Sequence, residues 1–219
     1  MRKIWLALAA LVAMGTAWGA LPARAEVPQI TADDRVLGDA KAPITIFEFF
    51  SLTCPHCADF SEHTFPKLKA EWIDTGKAKL VYRDYPLDRN ALKAAMITRC
   101  APPERYPGFV ETLFQQQGSW GGMDDPVPAL RRIALLGGMN GVEFDKCVND
   151  DALSKSIVAS EYDAQKKYGV ESTPTFFING KKIVGALPYD EFAKELGKVS
   201  AAIETHDKMA GARTRSVQQ

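Results

Sequence analysis

Two cysteines separated by two residues constrain this chain more than any other feature of its sequence. Cys54 and Cys57 enclose a Pro-His dipeptide. They follow residues 44–50, a short β-branched and aromatic run that is typical of a buried strand. Apolar residues then recur near helical spacing as far as Trp72. The motif is therefore predicted to lie where a strand ends and a helix begins.

This placement favours thiol–disulfide exchange, which needs an attacking thiolate and a second thiol that resolves the mixed disulfide. Unpaired N–H groups and the positive end of the helix dipole favour a thiolate at the first cysteine. A protonated His56 would stabilise the same charge. Cys54 is the predicted nucleophile and Cys57 the predicted resolving thiol. Because a stabilised thiolate stabilises the reduced form, the Pro-His dipeptide predicts an oxidising disulfide.

Two other roles for the cysteine pair stay open at this point. The pair could form a purely structural disulfide, or half of a zinc site completed by Cys100 with Cys147 or His63. The chain contains neither a second Cys-x-x-Cys motif nor a pair of histidines at ligand spacing. We therefore predict no metal, and nothing in the sequence calls for a cofactor.

The first 25 residues have the layout of a secretory signal peptide. A short basic start precedes the apolar residues 4–20, and small residues at positions 23 and 25 mark a cleavage site. A membrane anchor is the alternative, since seventeen apolar residues almost span a bilayer. We expect cleavage after Ala25 and a mature protein exported to the periplasm, where disulfides persist.

Charge and length limit the functions and the domain organisation that the mature chain can have. The full chain has 27 basic and 27 acidic residues, and loss of Arg2, Lys3 and Arg24 leaves a net charge of about −3. No basic block or aromatic-basic stripe is present, which argues against nucleic acid as a partner. About 194 residues are enough for one domain with an insertion.

The order of the predicted elements indicates an α/β fold in which an all-helical insertion separates a β-α-β part from a β-β-α part. Helical periodicity fills residues 88–168, and the polar residues 205–219 are expected to form a flexible C-terminal tail. Asn179-Gly180 is a strong hairpin signal. Outside the insertion the predicted elements are a strand at 44–50, the motif helix, a parallel strand at 78–83, strands at 175–178 and 181–184, and a helix at 189–203.

Residues 47–57 resemble the active-site region of DsbA-type proteins, and the likeness covers most of residues 36–204. This resemblance implies a thioredoxin fold formed by residues 26–87 and 169–204, with the all-helical domain of residues 88–168 inserted between its halves. It also implies oxidation of reduced, newly exported protein substrates, with reoxidation by a membrane partner of the DsbB type. A monomer is the expected oligomeric state.

The resemblance assigns roles to three further residues. Pro174 matches the cis-proline that faces the active-site disulfide, where an incoming peptide can pair like an added strand. Thr173 precedes it in the same substrate-binding loop. Glu48 matches a buried acid that relays protons to the resolving cysteine, although one side of its strand could instead meet solvent.

Cys100 and Cys147 fall on apolar faces of the predicted insertion helices. The best-known oxidase of the family lacks such a pair, whereas some of its relatives have one. We predict a structural disulfide between them, with two free buried thiols as the alternative.

Three functions are consistent with these residues. The first is an oxidase that donates its disulfide to exported chains. The second is a disulfide isomerase or reductase of the same fold, a possibility kept open because isomerases commonly carry Thr at the position of Thr173. Residues 26–43 are too short for the dimerisation domain of those enzymes, which favours the oxidase. The third is a binding or chaperone module whose disulfides are structural.

Overall fold

A five-stranded mixed sheet forms the centre of the protein. The computed structural model describes residues 26–217, so the predicted signal peptide at residues 1–25 lies outside the described residues. The strands lie side by side in the order β1-β3-β2-β4-β5. Their bounds are β1 (Arg35–Leu37), β2 (Ile44–Phe50), β3 (Ala78–Asp84), β4 (Thr175–Ile178) and β5 (Lys181–Val184).

Strands β2 and β3 are central and parallel, as the sequence predicts, with Glu48 opposite Tyr82. Every residue of β3 and all but one of β2 are buried, which explains why neither strand shows a strict alternation of apolar and polar residues. Strand β4 pairs antiparallel with β2, and β5 pairs antiparallel with β4. Sequence analysis missed β1, a three-residue edge strand too short to show a period.

The helix that follows β2 is continuous but not uniformly α-helical. It contains α1 (Pro55–Asp59), a π-helical segment (Phe60–Thr64), α2 (Phe65–Leu68) and a second π-helical segment (Lys69–Ile73). Pro66 lies in the first turn of α2, directly after the first π-helical segment. A proline in a regular α-helix would clash with the carbonyl four residues earlier, and the wider π turn before α2 accommodates it.

Five helices separate β3 from β4 along the chain, as predicted for the insertion. They are α3 (Arg89–Cys100), α4 (Tyr106–Gln115), α5 (Val127–Leu136), α6 (Gly141–Val148) and α7 (Asp151–Tyr168). Asp88, Asn140 and Asp150 cap α3, α6 and α7 by accepting hydrogen bonds from backbone N–H groups of the first turn. The starts of these three helices are therefore encoded locally.

Helix α7 packs against the inserted helix α3 at one end and against the sheet at the other. Ile157 contacts the cluster of α3 that contains Met96. Ala164 and Tyr168 lie instead on the sheet, where the Tyr168 ring is 6.1 Å from that of Phe49. The last turns of the predicted insertion thus cover one face of the sheet. The proposed boundary between residues 168 and 169 stays a prediction.

The opposite face of the sheet is covered by the motif helix and by the C-terminal helix α8 (Tyr189–Val217). Phe60 joins these layers, with ring centroids 4.7 Å from Phe176 of β4 and 5.7 Å from Phe192 of α8. Phe50 extends the same core into the insertion, 5.9 Å from Phe114 of α4. The core therefore runs without a break from the sheet into the inserted helices.

Residues 205–217 of the predicted tail are helical, and the flexibility of this segment stays a prediction. Helix α8 continues past residue 203, where the apolar periodicity ends, and reaches Val217. The side chains of residues 204–210 are exposed. Strong helix formers such as Glu204, Lys208 and Ala210 propagate a helix already nucleated by its packed first half.

Within residues 26–217, no helix is long and apolar enough to cross a membrane.

Candidate active site

Cys54 occupies the N-cap of α1, at the end of the loop that leaves β2. Its backbone is extended, with φ −77° and ψ 120°. Its carbonyl oxygen accepts hydrogen bonds from the N–H groups of Cys57 and Ala58, at 3.1 and 3.2 Å. Pro55 takes the first helical position, where its lack of an N–H costs nothing. The sequence thus places one sulfur at the unpaired end of the helix and the other one turn inside it.

The two cysteines differ sharply in acidity. The pKa of Cys54 is lowered from 9.0 to about 5, chiefly because the Cys57 thiol donates a hydrogen bond to its sulfur. Burial opposes this shift, while hydrogen bonds from the Thr173 hydroxyl and from the N–H groups of Cys57 and His56 reinforce it. The Cys54 thiolate is therefore the dominant form near neutral pH.

Cys57 is fully buried and stays protonated. Burial raises the pKa of its thiol, and the adjacent Cys54 sulfur and the carboxylate of Glu48 raise it further. One thiol of the pair is thus an anion ready to react, and the other is a proton-bearing donor behind it.

Glu48 lies in the middle of β2 and is only 3 % exposed. Burial alone raises the pKa of its carboxyl group from 4.5 to about 8. A cavity of about 10 Å³, lined by Glu48, Phe60, Tyr82 and other side chains, adjoins it, and this is about the volume needed for one water molecule. The alternative that this side of the strand meets solvent is wrong.

His56 contributes to the site through its backbone N–H. Its N–H is among the groups that lower the pKa of Cys54, whereas its imidazole is not. The side chain is exposed on the first turn of α1. Stabilisation of the thiolate by a protonated His56 stays a prediction.

The loop before β4 contacts the sulfur of Cys54. The peptide bond between Thr173 and Pro174 is cis, and the Thr173 carbonyl accepts a hydrogen bond from Cys54 Sγ at 3.3 Å. The Thr173 hydroxyl is buried and makes no hydrogen bond to the described residues. It is a donor available to the Cys54 thiolate, and it lowers the pKa of Cys54.

Three residues that sequence analysis missed fix the loop from Ser51 to Cys54. Thr53 donates to Asp88 at 2.6 Å, and Gln117 Nε2 donates to the carbonyls of Leu52 and Cys54. The position of Asp88 immediately before a helical pattern is a capping signal that could have identified it. No local pattern marks Thr53 or Gln117, because their partners are distant in sequence.

Cys100 and Cys147 form a disulfide with a Cα–Cα distance of 6.2 Å. It joins the end of α3 to α6, in a small cluster that includes Met96 and Ile157. These sulfurs are therefore not available as zinc ligands. Within residues 26–217, no group of three or more His, Cys, Asp or Glu side chains is placed to hold a metal ion.

The sheet order, the Cys-x-x-Cys pair at a helix start and the cis-proline loop against the first sulfur together define a class: thioredoxin-fold proteins with a redox-active dithiol. The family described as thioredoxin matches residues 31–198 of the chain. The chain belongs to this family, in its DsbA-like group of thiol:disulfide oxidoreductases.

Individual relatives agree with this assignment. A Rickettsia typhi protein named as a protein-disulfide oxidoreductase is 34% identical over 153 residues, which cover 69% of this chain and 57% of that protein. Thiol:disulfide interchange protein DsbA of Salmonella typhimurium is 29% identical over 188 residues, covering 83% of this chain and 85% of the relative. The chain thus spans a little over half the length of the rickettsial relatives.

The crystal structure of α-DsbA1 from Wolbachia pipientis is also similar. It superimposes with a TM-score of 0.76 at 34% identity, covering 81% of this chain and 96% of that one. The predicted thioredoxin fold with inserted helices is confirmed.

Proposed function

We propose that this protein is an exported dithiol oxidase that introduces disulfide bonds into other proteins through Cys54 and Cys57. The observation that carries the proposal is the unequal acidity of the two thiols, with a pKa of about 5 at Cys54 and a raised pKa at Cys57. An ordinary thiol with a pKa of 9.0 is protonated at pH 7. Ionisation of Cys54 at that pH therefore favours the reduced form by about a hundredfold, and this makes the disulfide a stronger oxidant.

The reaction begins with the Cys54–Cys57 disulfide. A substrate thiolate attacks Cys54 Sγ, a bond forms between the two sulfurs, and Cys57 leaves with the electron pair of the broken disulfide. A second substrate thiolate then attacks the substrate sulfur of the mixed disulfide and expels the Cys54 thiolate. The substrate dithiol is oxidised by two electrons, and the enzyme disulfide is reduced to a dithiol.

Glu48 is the proposed proton source for Cys57. Cys57 must be protonated after it leaves, because a thiolate in its fully buried position is strongly disfavoured. The carboxyl group of Glu48, with a pKa of about 8, still holds a proton at neutral pH. It can donate this proton without a charged group entering from solvent, directly or through one water molecule in the adjoining cavity.

Thr173 and Pro174 form the proposed substrate-binding loop. The cis peptide bond lies against Cys54, so a peptide bonded to that sulfur runs beside the backbone of residues 173–175. Pairing through main-chain hydrogen bonds would accept many sequences, which suits an enzyme that acts on diverse reduced chains.

The remaining parts of the proposal concern the setting of the reaction. The signal-like residues 1–25 support export to the periplasm. A membrane quinone reductase of the DsbB type is the proposed oxidant that regenerates the disulfide, and a monomer is the proposed working form.

Disulfide isomerisation or reduction is the second candidate, and Thr173 is the residue that favours it. Isomerases of this fold commonly carry Thr at this position, and a hydroxyl that lowers the pKa of Cys54 stabilises the reduced enzyme that attacks a wrong disulfide.

One pair of assays separates these candidates. The oxidised protein is mixed with a reduced two-cysteine peptide, and the reduced protein is mixed with a substrate whose disulfides are scrambled. Rapid peptide oxidation with slow unscrambling is expected, and Cys54→Ser should abolish both. The double variant Cys100→Ala/Cys147→Ala is the control that retains the dithiol. Faster unscrambling than peptide oxidation would favour the isomerase, and full activity of Cys54→Ser would refute both.

A further inference from the structure

One amide group from the inserted helices holds the loop that carries the nucleophile. Gln117 Nε2 donates hydrogen bonds to the carbonyl oxygens of Leu52, at 2.8 Å, and Cys54, at 3.1 Å. Gln117 lies 63 residues after Cys54 in sequence, in a short 3-10 turn (Gln117–Ser119) that follows α4. Both hydrogen atoms of the amide nitrogen are thus engaged by the active-site loop.

The segment that presents this amide is itself fixed. Trp120 is fully buried, and its indole N–H donates to the Leu113 carbonyl at 3.0 Å. Asn90 of α3 donates to the carbonyl oxygens of Gly121, at 3.1 Å, and Met123, at 2.7 Å. These contacts anchor the backbone on one side of Gln117, so little conformational freedom is lost when its side chain binds the loop.

The carbonyl of Cys54 is the common acceptor at this junction. It receives the N–H groups of Cys57 and Ala58 as well as the Gln117 amide. The direction of this carbonyl fixes the rotation of the Cys54 peptide unit. That rotation determines whether Sγ lies within reach of the Cys57 thiol and of the N–H groups at the helix start. A small rotation would lengthen several of these hydrogen bonds together.

We propose that Gln117 is a positioning residue, which orients the peptide groups around Cys54 so that its thiolate receives the full set of stabilising hydrogen bonds. This inference rests on the proposed dithiol chemistry of Cys54. The inserted helices then help to set the reduction potential of the dithiol, although none of their atoms takes part in the reaction. A second contact from the same side, between Thr53 and Asp88, holds the preceding residue.

The test compares three variants of the full-length protein. Gln117→Met keeps the length of the side chain and removes the two N–H donors, and Gln117→Ala removes the side chain. Gln115→Ala is the matched control, because Gln115 is an exposed glutamine at the end of α4. The pKa of Cys54 is measured from thiolate absorbance during a pH titration, and the equilibrium constant with glutathione is measured at pH 7.

Both Gln117 variants are expected to raise the pKa of Cys54 by about half to one unit, and to make the disulfide about three- to tenfold less oxidising against glutathione. The control should match the wild type in both quantities. Values for both Gln117 variants equal to those of the control would overturn the proposal, even if the variants melt at lower temperature, since lower stability alone indicates a merely structural role.

Failure of the proposed function is distinguishable from failure of this inference. If the wild-type protein does not oxidise a reduced peptide, the oxidase proposal fails while the pKa comparison still decides the role of Gln117. If the wild type oxidises the peptide and Gln117→Met leaves both the pKa and the glutathione constant unchanged, only the positioning role is refuted.

Discussion

Replacement of Glu48 by glutamine should stabilise the protein, and only at pH values where a carboxyl group in the unfolded chain is ionised. Glu48 is 3 % exposed, and its pKa is raised from 4.5 to about 8 by burial alone. Glutamine has nearly the same shape and carries no charge to bury. The variant therefore isolates the cost of placing an ionisable group at the centre of the sheet.

The size and sign of the effect follow from the two pKa values. Below pH 4.5 the carboxyl group is neutral in both the folded and the unfolded chain, so its ionisation costs the fold nothing. As the pH rises from 4.5 to 8, only the unfolded chain releases the proton, and the stability of the wild type falls relative to Glu48→Gln. The difference reaches about 3 kcal/mol at pH 7 and levels off near 5 kcal/mol above pH 8.

Urea unfolding of the oxidised proteins at pH 4 and pH 8.5 measures this difference. The oxidised form is chosen because a disulfide removes the titration of Cys54, which would otherwise add its own pH dependence. Glu62→Gln is the control, since Glu62 is an exposed glutamate in the helix that follows β2, and its replacement should change stability equally little at both pH values.

The test depends on how the difference in unfolding free energy between Glu48→Gln and the wild type changes from pH 4 to pH 8.5. A buried amide in place of a buried acid adds an offset that is the same at pH 4 and pH 8.5, so the offset cancels. If Glu48→Gln gains no more stability at pH 8.5 than at pH 4, the carboxyl group is not buried as an acid with a raised pKa. The proposed proton donor to Cys57 would then be lost as well.

Three other outcomes are expected. Alkylation of reduced Cys54 should stay near its maximal rate from pH 8 down to about pH 6 and fall through pH 5, because the lowered pKa keeps the thiolate over that range; a midpoint near 9 would contradict this. Replacing Cys100 and Cys147 by alanine should lower the free energy of unfolding by about 4 kcal/mol, since their disulfide closes a loop of 47 residues; equal urea midpoints would show that this loop closure contributes nothing. Thr173→Val removes the buried hydroxyl and should raise the pKa of Cys54 without a large loss of stability, as thiolate titration and melting can test together.

Local sequence determined much of the fold because the signals are themselves local. The run Ile44–Phe50 is rich in β-branched and aromatic residues, as expected for a strand buried on both faces. Asn179 and Gly180 both adopt positive φ, which is the conformation that their hairpin turn requires. The C-terminal end of α8 shows the limit of this reasoning. Apolar periodicity marks the packed part of a helix, whereas an exposed extension shows only residue propensity.

What the sequence by itself determined about this protein is the pair of reacting atoms. Cys54 and Cys57 are three residues apart, and a strand followed by a helix is enough to place one sulfur at the helix start and the other behind it. Only the tertiary structure decided their surroundings: the buried hydroxyl of Thr173 on one side and the amide of Gln117 on the other. These groups come from segments 119 and 63 residues away from Cys54. Hydrogen bonds to a thiolate depend on distances of a few ångströms, and such distances are set only when the whole core has packed.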